Sequence, residues 1–132
     1  MHPIWQLKEA VYSALTGDAT LMAMVTGVYD YVPEDTAYPC VTLTLAEVED
    51  WGTRTVCGQR VALTLQVFSR ERSSQSCLNI LDRLHAVLHD ASLSLSEDVL
   101  VSLRAGASDV TPGSDGLSIQ GRIAFYAWIE IS

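Results

Sequence analysis

His85 and His89 stand four residues apart in a stretch of helical periodicity, with Asp82 and Asp90 close by in the chain. Imidazoles at that spacing share one helix face and can form half of a metal site. No glutamate follows His85, as it would in His-Glu-x-x-His, and no further ligand lies at a fixed spacing. The pair therefore reads as two partly exposed histidines near a helix C-terminus, where a protonated imidazole complements the helix dipole. No metal or other cofactor is expected.

Gly113-Ser114-Asp115-Gly116 puts a serine on a turn, but it lacks Gly-x-Ser-x-Gly and the strand-to-helix elbow that exposes a nucleophile. Cys40, Cys57 and Cys77 are odd in number and show no Cys-x-x-Cys spacing, which predicts reduced thiols rather than a disulfide framework or zinc. None of them bears a fixed relation to His2, His85 or His89 that thiol catalysis would need. Glu34, Asp35, Glu47, Glu49 and Asp50 fall in predicted loops without fixed partners and read as solvated carboxylates. Trp51 with Arg54 is different, because an aromatic beside an arginine in a long loop suits a protein contact. The competing reading of Trp51 is a ring folded back onto its own sheet. Nothing in this inventory describes an enzyme.

The chain has 132 residues, 48% of them apolar and 18% charged. That predicts one domain over residues 1–132 with a full core and a charge-poor surface of the kind that associates. The net charge is −8 and Lys8 is the only lysine. Phosphate binding needs clustered Lys and Arg, so a protein that grips DNA is excluded. Met1-His2-Pro3-Ile4-Trp5 carries no basic segment followed by an apolar one, and no apolar run approaches ~18 residues. Cytoplasmic synthesis, a soluble product and no membrane contact are expected.

Pro3 opens an amphipathic helix whose stripe is Ile4, Leu7, Val11, Ala14 and Leu15, ending at Gly17. Asp18 caps a short second helix with Leu21, Met22 and Val25 inward, stopped by Gly27. Val28 to Val32 reads as a short edge strand ended by Pro33. Val41, Leu43 and Leu45 share a face of a second strand, and a polar connection follows from Glu47 to Gln59. From Arg60 to Arg70, Val61, Leu63, Leu65 and Val67 alternate with Ala62, Thr64, Gln66 and Phe68. This is a central strand whose second face is only moderately polar and needs a cover.

Ser73 or Ser74 begins a long helix with Cys77, Leu78, Leu81, Leu84, Val87 and Leu88 inward. Val99, Val101, Leu103 and Ala105 alternate up to Gly106. A loop from Thr111 to Gly116 then leads to a last strand in which Leu117, Ile119, Ile123, Phe125, Ala127, Ile129 and Ile131 recur. The order predicts an α+β fold: a mixed, mainly antiparallel sheet with the two larger helices on one face, and a helical crossover between the third and fourth strands.

Several stretches taken together resemble one family, the tail-completion or tail terminator proteins of long-tailed phages and gene transfer agents. They are Leu15-Thr16-Gly17-Asp18-Ala19, Val28-Tyr29-Asp30 before Val32-Pro33, Tyr38-Pro39-Cys40-Val41-Thr42-Leu43 and Asp50-Trp51-Gly52-Thr53. Val67-Phe68-Ser69-Arg70 before the long helix, Leu88-His89-Asp90-Ala91 at its end and Asp115-Gly116-Leu117 complete the pattern. Phe68 stands where members often have tryptophan.

The resemblance implies a structural protein that forms a ring, typically hexameric, at the head-proximal end of a virion tail. Such a ring caps the tail tube, stops its polymerisation and receives the head connector, while DNA passes through the lumen without specific binding. Its partners would be other copies of itself, the tube protein and the connector protein. The contact residues would be Trp51, Arg54, Glu49 and Asp50 in the loop and Ala62, Thr64, Gln66 and Phe68 on the sheet. The residues alone also leave open another head-tail joining component or a small α+β ligand-binding or enzymatic domain.

Overall fold

The computed structural model describes residues 2–30, 37–55, 57–70, 74–113 and 118–131, with the backbone alone at Thr44 and Leu45. The elements run α1 (Pro3–Thr16), α2 (Ala19–Met22), β1 (Gly27–Tyr29), β2 (Cys40–Asp50), β3 (Gly58–Ser69), α3 (Gln75–Leu88), β4 (Val99–Pro112) and β5 (Ile119–Glu130). The strands form one sheet in the order β1-β2-β3-β5-β4. Among the described residues only β1 and β2 are parallel neighbours. Because β3 and β4 both run antiparallel to β5, they point the same way, and α3 is the crossover between them. The α+β architecture read from the pattern is the one observed.

Alternation decides which sheet face is buried. Val61, Leu63, Leu65 and Val67 stand opposite Ala127, Phe125, Ile123 and Gly121 and are closed over by Leu7, Val11 and Leu15 of α1 and Cys77, Ile80 and Leu84 of α3. Each fully buried large aliphatic or Phe side chain there contributes about 1.5–3 kcal/mol relative to exposure. α3 lies close on β5 because Gly121 has no side chain. A Cβ at that position would sit 2.5 Å from Cys77 Sγ and 3.1 Å from Leu81 Cδ1.

The helix ends are fastened by side chains. Pro3 occupies the first turn of α1, and His2 Nδ1 accepts from the Ile4 N–H at 3.0 Å. Asp18 caps α2 through the Leu21 N–H at 3.0 Å. Its carboxylate also receives a two-pronged bond from Arg83 of α3, Nε to Oδ2 at 2.7 Å and Nη2 to Oδ1 at 2.6 Å. The Arg83 bonds outweigh partial burial and hold the Asp18 carboxyl below its ordinary 3.8. A lowered value means the folded state favours the charged form, so this stabilisation is complete above about pH 3.8 and is lost as pH falls through the folded-state value. Asp18→Asn keeps the cap but not the charge. Its melting temperature should fall below wild type at pH 7, and the gap should close on acidification; a gap that stays constant with pH would assign the effect to something other than this pair.

The connection from α3 to β4 crosses α1 and is held by a buried glutamine. Gln6 Oε1 accepts from the Glu97 and Asp98 N–H groups, both at 2.9 Å, and its Nε2 donates to Asp98 Oδ2 at 2.7 Å. At the start of the same connection His89 Nδ1 accepts from the Ala105 N–H at 3.0 Å, and the Asp90 N–H donates to Leu103 O at 2.8 Å. Asp90 takes φ 58° to make that turn, a conformation Asp tolerates better than most residues.

Several sequence expectations are corrected by this structure. β2 runs on to Asp50 and β3 begins at Gly58, so Glu47, Glu49 and Asp50 belong to a strand and the connection shrinks to residues 51–57. A bulge between Thr42 and Leu45 shifts the register of β2, so that the Leu45 backbone pairs with Thr64; the Leu45 side chain, expected to share the face of Val41 and Leu43, lies outside what the structure describes. β4 carries two further bulges, between Leu100 and Ser102 and between Ala105 and Ser108. Val99 and Val101 are consequently exposed, at 54% and 55%, and only Leu103 and Ala105 of that series face the core.

β4 continues past Gly106 to Pro112, which removes Thr111 and Pro112 from the expected loop. On α3, Leu78 is 46% exposed and Ile80 is buried in its place. α2 ends at Met22, and Gly27 opens β1 instead of stopping the helix. Ser74 occupies the position before α3 without a side-chain capping bond. Residues 31–36, 73 and 114–117 lie outside the described residues, and with them the end of the expected first strand, Glu34, Asp35, Ser73, Ser114, Asp115, Gly116 and Leu117.

Candidate functional site

Both larger helices pack on one face of the sheet, and among the described residues no helix lies over the opposite face. On β3 that face presents Ala62, Thr64, Gln66 and Phe68, all half-buried and in register with Tyr126, Ala124, Arg122 and Gln120 of β5. Aromatic and charged side chains lie across it. Arg60 pairs with Glu49 and places its guanidinium 5.4 Å from the Tyr126 ring centroid. Tyr126 and Trp128 meet as tilted rings 6.5 Å apart, and Tyr126 lies over Gly106, where a Cβ would come within 2.5 Å of the ring. Arg122 bonds Asp109 at 3.1 and 3.2 Å, and the Phe68 ring stands 6.4 Å from Tyr38. Tyr38 also carries the Arg70 guanidinium at 4.5 Å and precedes a cis Pro39.

At one end of this face lies the β2–β3 turn. The Trp51 backbone N–H donates to Gly58 O at 3.1 Å, and the Trp51 ring lies over Gly58, where a Cβ would collide with the indole. The ring folded back onto its own hairpin is thus the arrangement observed, and it leaves Trp51 half-buried instead of free in solvent. Its Nε1, Gln59 Oε1 and Arg60 Nε are buried without a hydrogen-bond partner among the described residues. Trp51, Val101, Ser102, Arg104 and Trp128 line an open cleft of about 490 Å³.

The eight residues expected to make contacts fall into two groups. Ala62, Thr64, Gln66 and Phe68 form one continuous strip, and Glu49 and Ala62 line a small depression with Glu47, Val48 and Arg60. Asp50 accepts from Gln59 Nε2 at 3.4 Å, while Arg54 is exposed in the turn beyond Trp51. Tyr126, Trp128, Arg60 and Arg104 belong to the same surface and were not anticipated. The signal for the first two was present, since they alternate with Phe125, Ala127 and Ile129 along β5.

His85 and His89 stack with centroids 4.7 Å apart, and His89 Nε2 is 3.3 Å from Asp90 Oδ2. Nδ1, accepting from the Ala105 N–H, ties the end of α3 to β4, while Nε2 faces the neighbouring Asp90. Among the described residues no group of three His, Cys, Asp or Glu side chains is placed to hold a metal ion. Among the described residues no helix is long and apolar enough to cross a membrane. Burial raises the thiol pKa of Cys40 and of Cys77 above the ordinary value, which disfavours their thiolates. The chemistry this surface offers is contact: aromatic area and guanidinium groups on the sheet face turned away from the helices.

Residues 9–130 match the family model described as "Tail completion protein gp17". A search of curated proteins returned no match. Among solved structures, a chain of the virion of a native gene transfer agent particle superposes with a TM-score of 0.91 at 26% identity, covering 98% of this chain and 99% of that one. The bacteriophage SPP1 gp17 protein superposes with a TM-score of 0.62 at 19% identity, covering 94% of this chain and 88% of that one, a likeness of fold.

Proposed function

The chain belongs to the tail completion protein gp17 family, and on that premise we propose that it is a structural component that finishes the tail of a phage-like particle. Copies assemble into a hexameric ring at the head-proximal end of the tail tube. The ring ends tube polymerisation and presents the seat for the head connector. The observation that carries this reading is the sheet face turned away from the helices, on which Phe68, Tyr126 and Trp128 lie half-buried with no covering element among the described residues. Ala62, Thr64, Gln66 and Phe68 are the residues that another subunit covers, and Glu49, Asp50, Trp51 and Arg54 lie at the end that meets the tube or the connector.

The charge supports passage of DNA. A net charge of −8 on each of several copies surrounds the lumen with an acidic wall, which repels phosphates and lets the duplex slide. No step in this role makes or breaks a covalent bond.

Purified protein mixed with tail tubes should appear by electron microscopy as a ring on one tube end and should halt tube growth. Tubes that keep lengthening with bare ends would reject the proposal. In the same assay Trp51→Ala should reduce the capped fraction about tenfold, the size of a contact residue of about 1.4 kcal/mol. Its circular dichroism should stay that of the folded protein. Capping at the wild-type level would remove Trp51 from the contact set.

A further inference from the structure

The helix layer carries a second surface without a cover. Trp5, Glu9 and Tyr12 follow one another at steps of four and three residues along α1 and form an outward stripe; Trp5 is 48% and Tyr12 47% exposed. A cleft of about 250 Å³ runs beside the stripe, bordered by Lys8 and Asp30, which are paired at 2.7 Å. Glu9 is exposed and has no ion-pair partner among the described residues. On the opposite layer of the molecule lies the cleft of Trp51, Val101, Arg104 and Trp128. There Arg104 spends its Nε on Asp90 at 3.0 Å but remains 59% exposed, with guanidinium donors still turned to solvent.

These two surfaces differ in charge and in shape. The stripe is aromatic with a carboxylate at its centre, and the cleft is aliphatic and aromatic with a guanidinium at its rim. A two-fold pair would set the stripe against itself, bringing Glu9 to Glu9, or the cleft against itself, bringing Arg104 to Arg104. Joining stripe to cleft replaces both repulsions with one attraction and buries large apolar side chains on each side. Because the two surfaces lie on opposite layers, each copy that receives a stripe still offers its own, and the contact repeats head to tail.

We infer that the Trp5-Glu9-Tyr12 stripe of one copy packs on the Val101-Arg104-Trp128 side of this cleft in the next, with Glu9 facing Arg104 and the Trp51 turn left to the tube or the connector. This rests on the ring reading above and names the two surfaces that meet in it. Closure of the heterologous contact into a ring uses every stripe and every cleft, whereas a dimer would leave one of each bare.

The test is a charge exchange scored by the fraction of tube ends capped. Arg104→Glu and Glu9→Arg should each lower capping about tenfold, and the double variant should return to within about threefold of wild type. Recovery in the double variant also establishes that neither change unfolds the protein. Val101→Arg, which loses no ion pair, should lower capping as much as Arg104→Glu while its melting temperature stays at the wild-type value. Wild-type capping by either single charge variant or by Val101→Arg, or a double variant no better than the worse single one, would overturn the contact while leaving the ring intact. Wild-type protein that fails to cap at all would instead remove the ring reading, and this contact with it.

Discussion

Gly121→Val should lower stability by about 1–3 kcal/mol, measured as a shift of the urea unfolding midpoint with an unchanged slope. Gly121 is where β5 passes directly beneath α3, and the first added carbon already falls 2.5 Å from Cys77 Sγ. Neither the sulfur nor the strand can move without opening the core around Ile80, Leu81 and Leu84, which are all buried. The distinguishing measurement is a double-mutant cycle. Cys77→Ala removes the colliding sulfur and, in the wild-type background, costs about 1 kcal/mol of lost packing. Combined with Gly121→Val it should cost less than the two changes added together, because the space released is the space needed. Simple additivity would place the damage elsewhere on β5.

Thr64→Arg should leave the monomer folded and abolish assembly. Thr64 lies in the middle of the helix-free face, opposite Ala124, and its half-exposed side chain belongs to the surface, where substitutions usually change stability by no more than about 0.5 kcal/mol. If another subunit covers this face, the arginine must either bury an unpaired charge, at a cost of several kcal/mol, or hold the two surfaces apart. Capping of tube ends should fall by about a hundredfold or more while the thermal melt is unchanged. Full capping by Thr64→Arg would exclude this part of the sheet from subunit contact.

The parts of the fold that sequence made legible are those governed by an uninterrupted period. The stripe Leu7, Val11 and Leu15, the alternation of β3 and β5, and the Asp18 cap were all readable, and the α+β layering and the family resemblance are borne out. Bulges defeat such a reading. One extra residue reverses the parity of everything beyond it, which is why Val99 and Val101 do not share the core-facing side of Leu103. Gln6 escaped notice for a different reason: a glutamine in an amphipathic helix looks like a solvent position, and its hydrogen-bond partners lie more than ninety residues away. Trp51 shows the same limit, since only the bare backbone of Gly58 makes room for its ring.

The bulged outer strand has one further consequence, for the life of the subunit before assembly. A sheet with open ends is a template on which more strands can add without limit, the route to amorphous aggregate and fibre. Here one border is β1, three residues long, and the other is β4, interrupted by two bulges and finished by Pro112, which has no N–H to donate. Neither border offers a regular ladder to a stray chain. A subunit in a crowded cell is therefore guarded against joining other chains edge to edge before it assembles.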